Sequence, residues 1–115
     1  MTAVSWPRLY FISDSSSGLV AFQETRSAWA GVLAFSDVAR AEQFRSERAL
    51  KETEIVGIET SDTGSIAALI AKVKKRSVRC LMVDLDYKTG RYSQIEFVGD
   101  RLGDVSERQL VHEAH

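Results

Sequence analysis

One stretch of this sequence, residues 31–60, decides the fold and reads GVLAFSDVARAEQFRSERALKETEIVGIET. It begins with an apolar run at residues 31–35 that predicts a strand. Ser36 is a residue type preferred at a helix N-cap, and Asp37 places negative charge beside the positive end of the helix dipole. A helix and a second apolar strand at residues 54–59 follow. The stretch therefore predicts a strand–helix–strand unit.

A second unit of the same kind overlaps the end of the first. Its helix begins at a cap near Ser61 or Asp62 and ends near Arg76. Its apolar residues recur at the spacing of one helix face: Ile66, Leu69, Ile70 and Val73. The first helix carries a narrower apolar stripe: Val38, Ala41 and Phe44. Because apolar stripes must be buried, we expect both helices to pack against the same layer of strands.

Further strands are predicted around these units, at residues 8–13, 18–23, 78–86 and 92–98. The last two are joined by a turn of hairpin length that contains Gly90. Residues 99–115 are predicted to form a short helix, on the capping-box spacing of Ser106 and Gln109, or a frayed end. The predicted fold is one α+β domain over residues 1–115. It has a single mixed or antiparallel sheet of four to six strands, with two helices packed on one face.

Composition excludes several classes of protein. The 115 residues are 44% hydrophobic and 27% charged, as in an ordinary soluble domain, and the net charge is −1. This near-neutral balance produces no long-range attraction to nucleic acid or to an anionic membrane. No apolar run approaches the ~20 residues of a membrane span, and the start of the chain lacks the pattern of a signal peptide. The single cysteine, Cys80, excludes an internal disulfide, so we expect a cytoplasmic location.

The first strand–helix unit also resembles a known family. The run Gly31-Val32-Leu33-Ala34-Phe35-Ser36-Asp37, followed by Ala41 and Phe44, is similar to an element of SseB-type domains: an apolar strand, Phe-Ser/Thr, an acidic residue, and a helix with Ala and Phe. The order of the elements between Arg8 and Val98 fits the same pattern. The resemblance implies an α/β domain of poorly defined role, often within larger secretion-related or regulatory proteins. It implies no catalytic residues.

Two carboxylates form the best candidate for a chemical site. Asp84 and Asp86 are two residues apart in the predicted strand 78–86, so they would point to the same face. Paired carboxylates suit divalent-cation binding or general acid–base chemistry. The alternative is that Asp86 leads the hairpin turn and Asp84 is solvated. No cofactor is expected, because the chain has no G-x-G-x-x-G or Walker spacing.

Aromatic residues form the best candidate for a binding surface. Phe22 and Trp29 would make an anchor of the kind enriched at protein interfaces if they project from a surface loop; the alternative is packing in the core. A basic run, Lys72 to Arg79, suits a solvated helix end better than nucleic-acid binding.

The sequence therefore favours a non-enzymatic protein-interaction or regulatory module. Its partner would be another protein or a second copy of the chain, through a sheet edge or the Trp29 region. The competing hypothesis is a small-molecule or metal-dependent enzyme that uses Asp84 and Asp86.

Overall fold

The computed structural model describes residues 6–14, 18–23, 30–76 and 78–110. Within these ranges the chain forms an α+β fold, as predicted, with more strands than the four to six expected. The elements, in chain order, are β1 (Arg8–Asp14), β2 (Gly18–Leu19), β3 (Ala21–Gln23), β4 (Ala30–Ala34), α1 (Val38–Glu47), β5 (Thr53–Glu59), α2 (Thr63–Lys74), β6 (Cys80–Val83), β7 (Arg91–Val98) and β8 (Arg101–Gln109). In the described part of the chain, neither helix is long and apolar enough to cross a bilayer.

The strands form two sheets, so the prediction of a single sheet is wrong. One sheet has the order β2-β1-β5 and the other β3-β4-β6-β7-β8, with β4 and β6 parallel. The two sheets meet where Tyr10 and Phe35 exchange backbone hydrogen bonds of 2.9 Å. Beyond that point β1 pairs with β2, and β4 pairs with β3. The predicted strand 18–23 is therefore split at Val20 and passes from one sheet to the other.

The two helices lie on opposite faces of these sheets, and the prediction that they share one face is wrong. Leu9 and Phe11 of β1 pack in the cluster that contains the buried stripe of α2. Ile12, on the other side of the same strand, packs with Ala41 of α1. We call these the α2 face and the α1 face. The same division holds for residues 32–35 and for β6: Val32, Ala34, Leu81 and Val83 belong to the α2 face, and Leu33, Phe35, Cys80 and Met82 to the α1 face.

Continuous apolar strands explain this arrangement. Successive side chains of a strand point to opposite faces, so a strand that is apolar at every position must be covered on both faces. All four residues of β6 are buried. Two helices on one face would have left the other apolar face in water, at a cost of about 25 cal/mol for each Å² exposed.

The two helix stripes differ in how deeply they are buried. Ile66, Leu69, Ile70 and Val73 of α2 are all buried, which confirms the predicted stripe. In α1 only Ala41 is buried; Phe44 is half-buried and Val38 is 49% exposed. The stripe of α1 is therefore a narrow contact that leaves aromatic surface open on its face of the molecule.

Residues 101–109 form a strand, whereas the sequence predicts either a short helix or a frayed end for residues 99–115. β8 pairs antiparallel with β7, and the two strands are joined by Gly99 and Asp100, with Gly99 at a φ of 64°. A Gly-Asp pair between apolar runs is a hairpin signal that outweighs the spacing of Ser106 and Gln109. The helix prediction is wrong for Arg101–Gln109, and residues 111–115 lie outside the described residues.

Candidate interaction surface

A groove of about 400 Å³ lies on the α1 face, where the parallel strands β4 and β6 end. One wall is α1, and the other is the segment that follows β6, residues 84–88. In sheets with parallel strands, ligands bind in the crevice outside the carboxyl ends of the strands. The groove is therefore the first place to look for a functional site.

Asp84 closes the inner end of this groove by joining two segments of the chain. Its N–H donates to Ala34 O at 2.9 Å, which continues the β4–β6 ladder by one residue. Its carboxylate accepts from the Ser36 backbone N–H at 2.9 Å and from Ser36 Oγ at 2.6 Å. Arg40 Nε lies 4.0 Å from the same carboxylate. Both oxygens of Asp84 thus hold the start of α1 against the end of β6.

The N-cap of α1 lies one residue later than predicted, because Ser36 is hydrogen-bonded to Asp84. The sequence predicts Ser36 as the N-cap, but its hydroxyl donates to Asp84. Asp37 is the N-cap instead, and its Oδ1 accepts from the Arg40 backbone N–H at 2.8 Å. The prediction that Ser36 caps α1 is wrong, because a long-range carboxylate binds the hydroxyl that would have served as the cap.

Asp86 lies in the turn between β6 and β7. Its Oδ1 accepts from the Lys88 backbone N–H at 2.8 Å, and its C=O accepts from Gly90 N–H at 2.6 Å. The hydrogen bond from Lys88 lowers the pKa of this exposed carboxyl below its usual value. The alternative in which Asp86 leads the turn therefore agrees with the structure.

The two aspartates do not share a strand face as predicted. β6 ends at Val83, and Asp84 has a φ of 53°, so the alternation of side chains stops before Asp86 is reached. Asp84 is also partly buried and hydrogen-bonded rather than solvated. Within the described ranges no three His, Cys, Asp or Glu residues are close enough to form a metal cluster. Cation binding by Asp84 and Asp86 stays a prediction.

Three aromatic rings line the groove, those of Phe35, Phe44 and Tyr87, and the ring of Phe22 packs against Tyr87. We call these four residues the aromatic cluster. Ring centroids are 5.5 Å apart for Phe35 and Phe44, 5.9 Å for Phe44 and Tyr87, and 6.1 Å for Phe22 and Tyr87. These are favourable separations for tilted, stacked and edge-on pairs. Phe22, a candidate binding residue from the sequence, is half-buried within this cluster, whereas Trp29 lies outside the described residues.

Arg48 covers the aromatic cluster from the solvent side. Its Cζ lies 4.1 Å from the centroid of Tyr87 and 5.6 Å from that of Phe44, which are cation–π distances. Tyr87 remains 40% exposed, and its partial burial raises the pKa of its hydroxyl, against the opposing effect of Arg48. The stack holds one cation and one aromatic ring in place at the surface.

The acidic side chains of the groove accept hydrogen bonds from the protein, whereas two of its basic side chains have no carboxylate partner among the described residues. Asp84 and Asp86 accept hydrogen bonds from the protein, and Glu47 accepts from Gln43 at 3.2 Å. Arg48 and Lys88, which also line the groove, have no carboxylate within ion-pair distance in the described part of the chain. The groups that remain available to a partner are therefore mainly cationic and aromatic.

Other candidates from the sequence have structural roles. Lys74 Nζ donates to Gly99 O at 2.9 Å, and Arg76 Nη1 donates to Leu19 O at 2.6 Å. Two cations of the basic run thus fasten the end of α2 to neighbouring segments. Cys80 is buried, and burial raises the pKa of its thiol to about 11. A thiol with this pKa is protonated at neutral pH and is a poor nucleophile.

Sequence reasoning missed most of the residues that build this surface. Phe44 and Arg48 are four residues apart in the chain, the spacing that brings side chains together on a helix, so this half of the stack had a local signal. Tyr87 follows Asp86 in a turn, and nothing in its neighbourhood indicates that its ring meets Phe22 and Phe44.

Comparison with known proteins adds no family assignment. No protein-family model matches the chain, and no curated protein sequence matches it.

Proposed function

We propose that this chain is a non-enzymatic protein-interaction module whose partner docks on the aromatic cluster and its groove. One observation carries the proposal: Arg48 is stacked on Tyr87 and Phe44 at the surface, with no carboxylate partner among the described residues. The resemblance to SseB-type domains, which implies a place in larger secretion-related or regulatory proteins, agrees with this role.

The physical argument concerns preorganisation. Arg and Tyr are enriched at the energetic centres of protein interfaces because each combines apolar area with directed polar groups. An arginine whose face rests on an aromatic ring keeps its N–H edge free for a carboxylate. Because its rotamer is already restrained by the stack, less side-chain entropy is lost on binding.

The chemistry of the groove defines the partner. A protein segment that presents an apolar side chain to Phe44 and Tyr87, next to an Asp or Glu that reaches Arg48, would satisfy both features of the surface. Lys88, on the opposite wall, would contact a second carboxylate of the same segment. The expected partner is therefore an acidic segment with an exposed apolar residue.

Capture of cross-linked partners from cells of the source organism tests this proposal. We expect Arg48→Glu to remove specific partners, because it places a carboxylate where the partner's carboxylate would bind. Arg101→Glu is the matched control, since Arg101 is an exposed residue of β8 away from the groove. If both variants retain the partners of the wild type, the groove is not the docking surface.

The competing function has one observation in its favour, because Asp84 and Asp86 line the same groove. A thermal-shift screen with Mg²⁺, Mn²⁺, Zn²⁺ and common metabolites tests it, since a ligand that binds the folded state raises the melting temperature. A shift that disappears in Asp86→Asn would support a ligand site there. A shift that Asp86→Asn leaves unchanged would assign the ligand to another place.

A further inference from the structure

Two of the edge strands, β5 and β8, differ in how they are protected from pairing with another strand. In the described part of the chain β5 pairs only with β1, and β8 pairs only with β7. An unpaired strand edge is a template for a further strand, and proteins commonly protect it with bulges and charges. β8 has both: a register shift opposite residues 95–97 and charged residues at Arg101, Asp104, Glu107 and Arg108.

β5 is less protected, because its only charged residues are Glu54 and Glu59, near its two ends. It pairs with β1 in unbroken one-to-one register from Thr53 to Glu59, without a bulge. Its sequence, TEIVGIE, contains neither proline nor lysine, and Val56 at its centre is 36% exposed. A regular edge with an exposed apolar centre is the kind that accepts another strand.

The backbone pattern shows which groups of β5 point outward. Tyr10 directs its N–H and C=O to Phe35, which follows β4, so its neighbours Leu9 and Phe11 direct theirs to β5. Their partners Ile58 and Val56 point inward, and Ile55 and Gly57, which lie opposite Ile12 and Tyr10, point outward. No hydrogen bond to these outward groups is made by any residue in the described ranges.

The outward carbonyls at the two ends of the strand are already bonded. Thr53 O accepts from Arg45 Nη1 at 3.2 Å, and Glu59 O accepts from the Asp62 N–H at 3.1 Å. The open part of the edge is therefore short and centred on Val56, with Ile55 on one side and Gly57 on the other. This symmetry about a single residue is what a two-fold axis requires.

We propose that a second copy of this chain pairs its β5 antiparallel with this one, about a two-fold axis at Val56. In that register Ile55 faces Gly57 of the second copy, and each such pair exchanges both backbone hydrogen bonds. Val56 faces Val56 of the second copy, which removes its exposed surface from water. The register sets the open part of the edge, centred on Val56, against the same part of the second copy. It involves a different surface from the groove of the proposed function.

Charges favour this register. Glu54 lies opposite Ile58, and Glu59 opposite Thr53, so no two carboxylates face each other. A register slipped by one residue would set Glu54 against Glu59, and it would also set the outward groups of Ile55 against the inward groups of Ile58.

An arginine at the edge adds charge complementarity. The side chain of Glu59 lies on the α1 face, where it pairs with Arg8 opposite it on β1. Arg45 of α1 reaches the outer edge at Thr53 on that same face. Because Thr53 lies opposite Glu59 of the second copy, Arg45 of each chain approaches Glu59 of the other.

Charge substitution at the two-fold axis tests the proposal by sedimentation equilibrium. We expect the wild type to form a dimer whose dissociation constant is below about 0.5 mM, as for a small interface. Val56→Glu and Val56→Lys should each raise the dissociation constant at least about tenfold, because identical charges meet at the axis. An equimolar mixture of the two variants should restore dimers, since the carboxylate introduced in one chain would face the ammonium group introduced in the other.

Val98→Glu provides the matched control, because Val98 is 55% exposed at the β7–β8 turn. It should dimerise like the wild type, and circular dichroism should show that all variants are folded. A wild type that stays monomeric up to about 0.5 mM, or a Val56→Glu variant that dimerises as the wild type does, would overturn the proposal. A monomer that still binds extended peptides at this edge would overturn it as well, and would assign β5 to a strand of another protein.

Discussion

The two faces of the sheets are built from the same strands but differ in what covers them. On the α2 face, apolar side chains from both sheets form one buried cluster against a helix whose apolar stripe is buried. On the α1 face, the helix contributes a single buried alanine, and half-exposed aromatic rings and charged groups border a groove. The difference indicates that stability resides mainly on the α2 face, while the α1 face is free to carry a binding surface.

The largest expected effect is on the α2 face. Ile70→Ala removes methyl and methylene groups from a fully buried position and should lower the free energy of unfolding by about 2–5 kcal/mol. Val38→Ala, at an exposed position of α1, should cost less than about 0.5 kcal/mol. Urea denaturation measures both. If both variants lose the same free energy of unfolding, the two faces contribute equally to stability and the proposed difference between them is wrong.

A smaller effect is expected from Cys80, which is buried on the α1 face. Its folded pKa of about 11 exceeds the ordinary value of 9.0, so the folded state holds the thiol proton more tightly than the unfolded state does. The stability from this difference is fully present below pH 9 and is lost as the pH rises through 11, by at most about 2–3 kcal/mol. Comparison of the pH dependence of unfolding with that of Cys80→Ala isolates the contribution. Identical slopes in the two proteins above pH 9 would contradict it.

An effect of about 2 kcal/mol is expected at the inner end of the groove. Asp84→Ala removes the acceptors of both Ser36 donors and places alanine at a positive φ. Asp84→Asn should cost less, because asparagine keeps one oxygen and tolerates this backbone conformation. Thermal unfolding measures the series. If both variants lose the same stability, the Ser36 hydrogen bonds do not hold the junction of β4 and α1 in the way described.

The smallest effect on stability is expected from Arg48. Arg48→Ala removes an exposed cation–π contact and should cost about 0.5–1 kcal/mol. Its effect on capture of a partner should be much larger, because the proposed contact with a carboxylate is lost. A variant that loses several kcal/mol of stability would instead show that the stack supports the fold, and the division between the faces would need revision.

Several elements were predictable because their signals are local. The stripe of α2 follows from a 3.6-residue period within one segment, and Asp62 caps that helix by accepting from the Ser65 N–H three residues later. The β6–β7 hairpin follows from the turn that contains Gly90, at a φ of 78°. In each case the interacting residues are close in sequence, so the chain itself supplies the contact.

The arrangement of these elements was not predictable in the same way. Both helices were assigned to one face because a single layer of strands is enough to bury two apolar stripes. The unbroken apolar runs in β1, β4 and β6 instead indicate strands that are covered on both faces. The candidate site shows the same limit. Phe22 is a candidate from the sequence alone, but its partner Tyr87 is 65 positions away in the sequence numbering, from residue 22 to residue 87.

The amino-acid sequence by itself determined the α+β class, both helices and the turn that joins β6 to β7, because these depend on side-chain periodicity and turn chemistry within short segments. Only the tertiary structure decided that Asp84 binds Ser36, that Arg48 rests on Tyr87, and that β5 is left at an open edge. These features arise when segments far apart in the chain pack together. Their free energy depends on distances and burial that no local pattern specifies.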